Sequence, residues 1–188
     1  MDYKLYGQGV KTIKYYYTDK QYKDLLTNMV ILVDTREKKH DHIVKWLENN
    51  GIQWQSKALK TGDYSLLLKA CPEHGFPKDT YFTDELVIER KNSVDELAGN
   101  LVETSGRILK EFSRMQTIDR CYIIIENDSI DDVIEGNYRS EYNSDSYLRT
   151  LLTLQKRCGF YLYFTEPENT GKLIYEICKN VLDSKILK

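Results

Sequence analysis

Short apolar runs alternate along this chain with segments of helical periodicity, and this alternation limits the possible folds more than any other feature. Four runs are long enough for one buried strand each: VILV, LVI, CYIII and FYLYF, at residues 30–33, 86–88, 121–125 and 160–164. Each is followed by a segment whose apolar residues recur with the helical period. Strands separated by helices form open sheets covered by helices. We therefore predict an α/β fold with a central sheet flanked by helices on both faces.

Length, composition and charge set broad limits on what the protein is. The chain has 188 residues, of which 41% are hydrophobic, enough for one domain with a sizeable core. Its net charge of −2 argues against a protein that coats nucleic acid indiscriminately, because such proteins are usually basic. No apolar stretch is long enough to span a bilayer, so we expect a soluble intracellular protein, cytoplasmic or nuclear, without a membrane partner.

The chain is expected to divide into two parts. Residues 1–29 are predicted to form a Tyr-rich N-terminal extension, in which Thr18 begins a helix. Residues 30–188 would form the main domain. Residues 70–84 hold two of the three prolines and are predicted to be a loop or hairpin insertion.

The cysteines show no paired spacing. Cys121, Cys158 and Cys178 lie in or beside apolar segments, as buried free thiols of a reducing compartment do. Cys71 and His74 have the C-x-x-H spacing of half a zinc site. No second pair is evident, so the sequence favours an ordinary loop there.

The run LVIERK ends a predicted strand on an acid and two bases. Because side chains alternate across a strand, Glu89 and Lys91 point to one face and Arg90 to the other. An acid beside an ammonium group suits phosphodiester hydrolysis, in which carboxylates hold a divalent cation and a lysine orients water or stabilises the phosphoryl oxygens. The tripeptide alone is better interpreted as a solvated strand end.

Further carboxylates upstream change that interpretation. Asp34 ends the first strand, Glu37 follows in DTRE, and Asp63 comes after Gly62 at a strand start. One carboxylate alone would hold Mg²⁺ weakly, whereas several at strand ends could share an ion. Together with Lys91 they favour a metal site.

The motifs VDTRE, GDY and VIERKNSVDEL together resemble the nuclease domain of the XPF/Hef family of structure-specific DNA endonucleases. The family signature, GD and then ERKxxxD, falls on Gly62, Asp63, Glu89, Arg90, Lys91 and Asp95. The resemblance implies a restriction-endonuclease-like mixed sheet that cleaves one strand of branched, flap or fork DNA in repair, recombination or replication. It also implies Mg²⁺ or Mn²⁺ as cofactor, and a homodimer or a heterodimer with a related subunit.

The same resemblance assigns the metal and catalytic residues. The implied metal ligands are Asp34, Glu37, Asp63 and Glu89. Of these, Asp34, Asp63 and Glu89 are also implied to be catalytic. Lys91 would act as catalytic base or as stabiliser of the transition state.

Other motif residues receive structural roles. Gly62 and Arg36, the latter within VDTRE, belong to the motifs without being ligands. Arg90 faces away from the metal by strand parity and is predicted to pair with Asp95 or Glu37. Asp95 is expected at a helix start rather than in the metal site.

The role of one basic stripe remains open. Arg107, Lys110 and Arg114 share one face of a helix and could contact DNA phosphates or form a solvated face.

The main alternative to an endonuclease is a non-catalytic DNA-junction or protein-binding module of the same fold. An exonuclease or a general nicking enzyme is the third. The complete set of motif acids with Lys91 favours the endonuclease.

Overall fold

The computed structural model describes residues 17–102 and 107–186, without the side chains of residues 107–109 and 111. The strands are β1 (Met29–Val33), β2 (Gln53–Ser56), β3 (Tyr64–Leu68), β4 (Thr80–Tyr81), β5 (Leu86–Lys91), β6 (Arg120–Glu126) and β7 (Phe160–Thr165). The α-helices are α1 (Asp19–Thr27), α2 (Asp41–Asn49), α3 (Val94–Val102), α4 (Arg107–Met115), α5 (Ile130–Glu135), α6 (Ser144–Cys158) and α7 (Pro167–Ile186). A short 3₁₀ helix covers Pro72–His74.

The strands form one mixed sheet in the order β2-β1-β3-β5-β6-β7, with β4 paired to β3. β1 is parallel to β2, and β5, β6 and β7 are parallel to one another. β3 runs antiparallel to both β1 and β5. The carboxyl ends of β1, β5 and β6 therefore meet at the edge where β3 begins. This arrangement confirms the predicted α/β sheet and brings four chain segments together at one edge.

Two apolar clusters cover the two faces of the sheet. On the first, here called the α7 face, Ile88 and Ile124 pack with Ile174 of α7. On the second, the α6 face, Val87 and Ile123 pack with Leu151 of α6. Over β1 and β3 the α6 face continues as a smaller cluster of Val30, Leu32, Leu59 and Leu67. Because both faces are covered, β1 is buried along its whole length and reads as a continuous apolar run.

Helix α1 packs on the main domain. Thr18 caps the helix through its hydroxyl, which accepts from the N–H of Gln21, as the sequence predicted. Leu25 is fully buried in the cluster of the α7 face, and the Tyr22 hydroxyl donates to Asp183 at 2.6 Å. The rest of the predicted extension, residues 1–16, lies outside the described residues.

The structure also bears on the predicted insertion, the cysteines and membrane-spanning segments. The insertion at residues 70–84 contains the 3₁₀ helix and β4, which pairs with β3 as a hairpin. All four cysteines are free and buried. Within residues 17–102 and 107–186, no helix combines the length and apolar character needed to cross a membrane.

Candidate active site

Three of the predicted acids lie in one row across β1, β3 and β5. The N–H of Asp34 donates to the carbonyl of Asp63 at 2.7 Å, and the N–H of Asp63 donates to the carbonyl of Ile88 at 2.9 Å. Since β3 pairs Tyr64 with Ile88 in antiparallel register, the next position along places Asp63 opposite Glu89. Backbone pairing therefore brings together carboxylates that are far apart in sequence.

The row faces the same side of the sheet as Lys91. Side chains alternate along β5, so Glu89 and Lys91 lie on the α6 face with Val87. The Lys91 ammonium group donates to Oε1 of Glu89, as the E-x-K spacing predicts. Both residues are buried, with 6% of Glu89 and 8% of Lys91 exposed. Burial of a charged pair in contact strengthens its electrostatic interaction and fixes its geometry.

Gly62 allows this arrangement by letting the chain pass close to β5. Its φ is +76°, a conformation that side chains disfavour. A Cβ at this position would lie 2.6 Å from Cγ1 of Val87 and 3.0 Å from the carbonyl oxygen of Ile88. The following residue, Asp63, then accepts from the N–H of Arg90 at 2.9 Å. The GD dipeptide thus combines a close approach with a carboxylate directed at the end of β5.

Asp34 is held by Arg36. Oδ1 accepts from the N–H and Nε of Arg36 at 2.8 and 2.7 Å, and Oδ2 accepts from Nη2 of Arg36 and the N–H of Leu59 at 3.1 and 2.6 Å. Burial alone would raise the pKa of Asp34, but the hydrogen bonds from Arg36 and Leu59 lower it below its ordinary value. Asp34 raises the pKa of Arg36 in turn, and Asp63 and Glu89 add to this effect. Arg36 therefore interacts electrostatically with the whole row.

Glu37 faces Arg90. Its Oε1 accepts from the N–H of Lys39 at 2.8 Å and lies 3.7 Å from Nη1 of Arg90. The predicted contact between Arg90 and Glu37 is thus present. The role of Glu37 as a metal ligand stays a prediction.

Asp95 lies in the first turn of α3, as expected, but it does not pair with Arg90. It accepts from the N–H of Ser140 at 2.8 Å and from Nε of Arg139 at 3.0 Å. The hydrogen bond from Ser140 is the main cause of the lowered pKa of Asp95, and Arg139 contributes further. The alternative pairing of Arg90 with Asp95 is wrong because Asp95 binds the loop after α5.

The principal partner of Arg90 is Glu126, to which the sequence interpretation gave no role. Nη2 of Arg90 donates to Oε2 of Glu126, and His42 lies with Nε2 at 2.8 Å from Oε1. Burial would raise the pKa of Glu126, but Arg90, Thr170 and His42 together lower it. The one signal available in sequence was that Glu126 ends an apolar run, as Asp34 does.

The structure describes two of the three side chains of the predicted basic stripe. Lys110 and Arg114 are exposed on α4. Helix α4 begins at Arg107, whose side chain lies outside the described residues. Contact with DNA and a solvated face both remain compatible with these positions.

The oxygen donors of the row suit a hard divalent cation such as Mg²⁺ or Mn²⁺. The carboxylates contact basic groups, Asp34 with Arg36 and Glu89 with Lys91. In the described part of the chain, three ligand atoms lie within 4.8 Å of one another at Cys71, Glu73 and His74, not in this row. A shared cation in the row therefore requires carboxylate oxygens to come closer together than they are in this structure.

Comparisons with known proteins identify the family and the fold. The sequence model of the ERCC4 domain matches residues 33–177. The solved structure of XPF from Aeropyrum pernix is similar with a TM-score of 0.60 and 24% identity, over 81% of this chain and 65% of that chain. XPF from Aeropyrum pernix in complex with DNA gives a TM-score of 0.59 at 24% identity, over 82% and 66%. This chain thus spans less than two thirds of either structure. The comparison with curated proteins gives no match.

The family match covers most of the chain and includes Asp34, Asp63, Glu89 and Lys91. The structural similarity at this identity supports the fold, a restriction-endonuclease-like mixed sheet flanked by helices. On these grounds the chain belongs to the ERCC4 domain family, that of the XPF-type nucleases.

Proposed function

We propose that this protein is a divalent-metal-dependent DNA endonuclease. The observation that carries the proposal is the row of Asp34, Asp63 and Glu89 at one edge of the sheet, with Lys91 on the same face. A module that only binds DNA has no need for buried acids beside a buried lysine, because acids repel phosphate. Membership of a nuclease family gives these groups a shared purpose.

The residues of the row would divide the chemistry between them. Asp34, Asp63 and Glu89 would bind the cation, Asp34 once its carboxylate has turned from Arg36. When bound, Mg²⁺ or Mn²⁺ would supply a Lewis acid that lowers the pKa of water and offsets charge on the phosphoryl oxygens. Lys91 would orient the attacking water or stabilise the oxygens of the transition state. Glu37 is proposed as an additional ligand that would have to turn from Arg90.

Branched, flap or fork DNA is the proposed substrate. The support is the motif set shared with structure-specific endonucleases and the similarity to XPF from Aeropyrum pernix, one structure of which is a complex with DNA. A dimer with a second copy or a related subunit is also proposed, and the mass of the particle in solution would test it. Cleavage of plain duplex at the same rate as flap DNA would instead favour the general nicking enzyme.

The decisive experiment compares labelled flap, fork and duplex DNA with Mg²⁺, with Mn²⁺ and with chelator. The wild-type chain should cut only with metal. Asp63→Asn and Glu89→Gln should each slow cleavage by about 10²-fold or more, since each removes a charged metal ligand or catalytic group. DNA binding without metal should survive, because removing an acid relieves repulsion with phosphate.

Matched substitutions at exposed acids provide the control. Asp84→Asn and Glu176→Gln change the same chemical groups at exposed positions outside the row and should leave cleavage unchanged. Metal-dependent cutting by Asp63→Asn or Glu89→Gln at the wild-type rate would refute the site. A wild-type chain that binds junctions but never cuts them would favour the non-catalytic module.

A further inference from the structure

The insertion after β3 forms a compact group of potential metal ligands on the side of the protein near α1. Ligand atoms of Cys71, Glu73 and His74 all lie within 4.8 Å of one another. The 3₁₀ helix Pro72–His74 produces this proximity, since the N–H of His74 donates back to the carbonyl of Cys71 at 3.0 Å. The C-x-x-H spacing that suggests half a zinc site is therefore folded so that both ends meet.

His74 is held in place but has unmet hydrogen-bonding capacity. Only 8% of the residue is exposed, and neither ring nitrogen makes a well-aligned hydrogen bond to a described residue, although Nε2 lies 3.4 Å from Oδ2 of Asp24. Tyr17 fixes the residue from outside, with its hydroxyl donating to the His74 carbonyl at 2.8 Å and its ring edge-on to the imidazole. The imidazole is thus prepared to form a bond to a metal ion.

A fourth potential donor comes from α1, where Oδ2 of Asp24 lies 3.4 Å from Nε2 of His74. Within the insertion, Sγ of Cys71 lies 3.3 Å from Oε1 of Glu73. Bonds of about 2.0–2.3 Å to a tetrahedral zinc ion place neighbouring donors roughly 3.5 Å apart. Both distances match this spacing.

The chemistry of the donors selects the ion. Thiolate and imidazole favour zinc over the hard cations that carboxylates alone would hold. Asn28 donates to Sγ of Cys71 at 3.6 Å, the kind of outer hydrogen bond that metal thiolates receive.

We propose that Asp24, Cys71, Glu73 and His74 form a structural Zn²⁺ site that fastens helix α1 to the insertion at residues 70–84. The ligand atoms of Cys71, Glu73 and His74 are already grouped, and Asp24 would complete a tetrahedron by turning toward them. Four protein donors would leave no position for substrate, so the site would be structural rather than catalytic. It is separate from the acid row and takes a different class of ion.

The test uses the full chain carrying Asp63→Asn and Glu89→Gln, so that ions bound by the acid row are not counted. After removal of metal with chelator, Co²⁺ serves as a spectroscopic probe and Zn²⁺ as the ion measured by titration. One equivalent should bind, with tetrahedral cobalt absorption and a thiolate-to-cobalt charge-transfer band. Zn²⁺ should displace Co²⁺ and increase the hydrogen-exchange protection of α1.

Substitutions of three of the four donors give the discriminating result. Cys71→Ser should abolish the charge-transfer band, while Asp24→Asn and Glu73→Gln should each weaken Zn²⁺ binding by about tenfold or more. The matched controls Asp19→Asn, on the same helix, and Cys158→Ser, a buried thiol elsewhere, should change neither readout. If Cys71→Ser fails to fold, the two carboxylate variants decide, because Glu73 is exposed and the Asp24 side chain is 49% exposed. Cobalt bound without a thiolate band, or zinc binding unchanged in both carboxylate variants, would overturn the proposal.

Discussion

Arg90 and Glu126 form a buried ion pair that joins β5 to β6 on the α7 face, opposite Glu89 and Lys91. Their side chains are 5% and 1% exposed. Two consecutive residues of the motif thus serve different faces of the same strand: Glu89 faces the proposed metal site, and Arg90 ties the strand end to its neighbour. The orientation of Glu89 and Lys91 depends on this fixed strand end.

Removing one member of the pair should destabilise the fold strongly. Glu126→Gln leaves the Arg90 charge buried without its counterion, and losses of this kind are about 3–5 kcal/mol. Arg90→Met should cost a similar amount. The double variant Arg90→Met/Glu126→Gln should lose less than the sum of the two single variants, because neither charge is left alone. Urea unfolding followed by circular dichroism would measure the free energy of unfolding of all three.

An exposed pair supplies the comparison for that experiment. Lys60 and Asp84 lie 3.7 Å apart, with side chains 87% and 82% exposed. Asp84→Asn should leave the unfolding midpoint unchanged, because solvent screens such pairs. A Glu126→Gln variant as stable as Asp84→Asn would show that the buried pair does not hold the strand end.

Gly62→Ala should disturb both stability and cleavage. The new methyl group would overlap Val87, and the left-handed backbone alone disfavours alanine by about 1–2 kcal/mol. Gly51→Ala isolates the backbone effect, since Gly51 has φ +67° and a Cβ there would meet no described atom within 4 Å. We expect Gly62→Ala to be the less stable of the two in urea. Cleavage should fall only in Gly62→Ala, because Asp63 moves with it; equal stability and activity in both variants would contradict the close-approach role.

The acid row was accessible to sequence interpretation because each member borders a short apolar run: Asp34 follows the first strand, Glu89 lies in the run LVIERK, and Asp63 precedes its strand. Parallel strand ends meet at one edge, and parity assigns Glu89 and Lys91 to a common face, so both inferences need only local pattern. The GD dipeptide likewise carries its geometry locally, since Gly62 has the backbone conformation that glycine favours.

Contacts between distant segments do not follow from local pattern. Glu126 lies 36 positions from Arg90, and only the pairing of β5 with β6 brings them together. Local pattern favoured Asp95 or Glu37 as the partner of Arg90, and Asp95 instead binds the loop after α5. Asp24 approaches His74 only because α1 packs against the insertion. The sequence therefore showed strand ends and spacing, whereas ion-pair partners depended on strand order and helix docking.

The free energy of unfolding should fall as the solution becomes acidic, because the carboxylates of Glu126 and Asp34 become protonated. Both have pKa values lowered in the folded state, so each contributes stability that is complete above its ordinary pKa of 4.5 or 3.8. That contribution is lost as pH falls through the lowered folded-state value, because the unfolded chain then binds protons more readily. Urea midpoints measured from about pH 7 to about pH 3 should decline for the wild type. Glu126→Gln should decline less steeply over the same range, and parallel curves for the two proteins would argue against the assigned ionisation of Glu126.

The exposed groups on α4 allow a test of DNA binding that is independent of catalysis. If Lys110 and Arg114 touch phosphates, replacing each with alanine should weaken binding of flap DNA and lower the dependence of log K on log salt by about 0.9 for each phosphate that is no longer neutralised. Binding is measured in chelator, so that no DNA is cut.

Lys45→Ala and Lys172→Ala provide the control. They remove exposed charges from α2 and α7, the helices of the opposite face, and should leave the salt dependence unchanged. An equal effect in all four variants would reveal only a general loss of positive charge, and no effect in any would identify the stripe as a solvated face. A smaller slope confined to the α4 variants would place the DNA backbone along that helix.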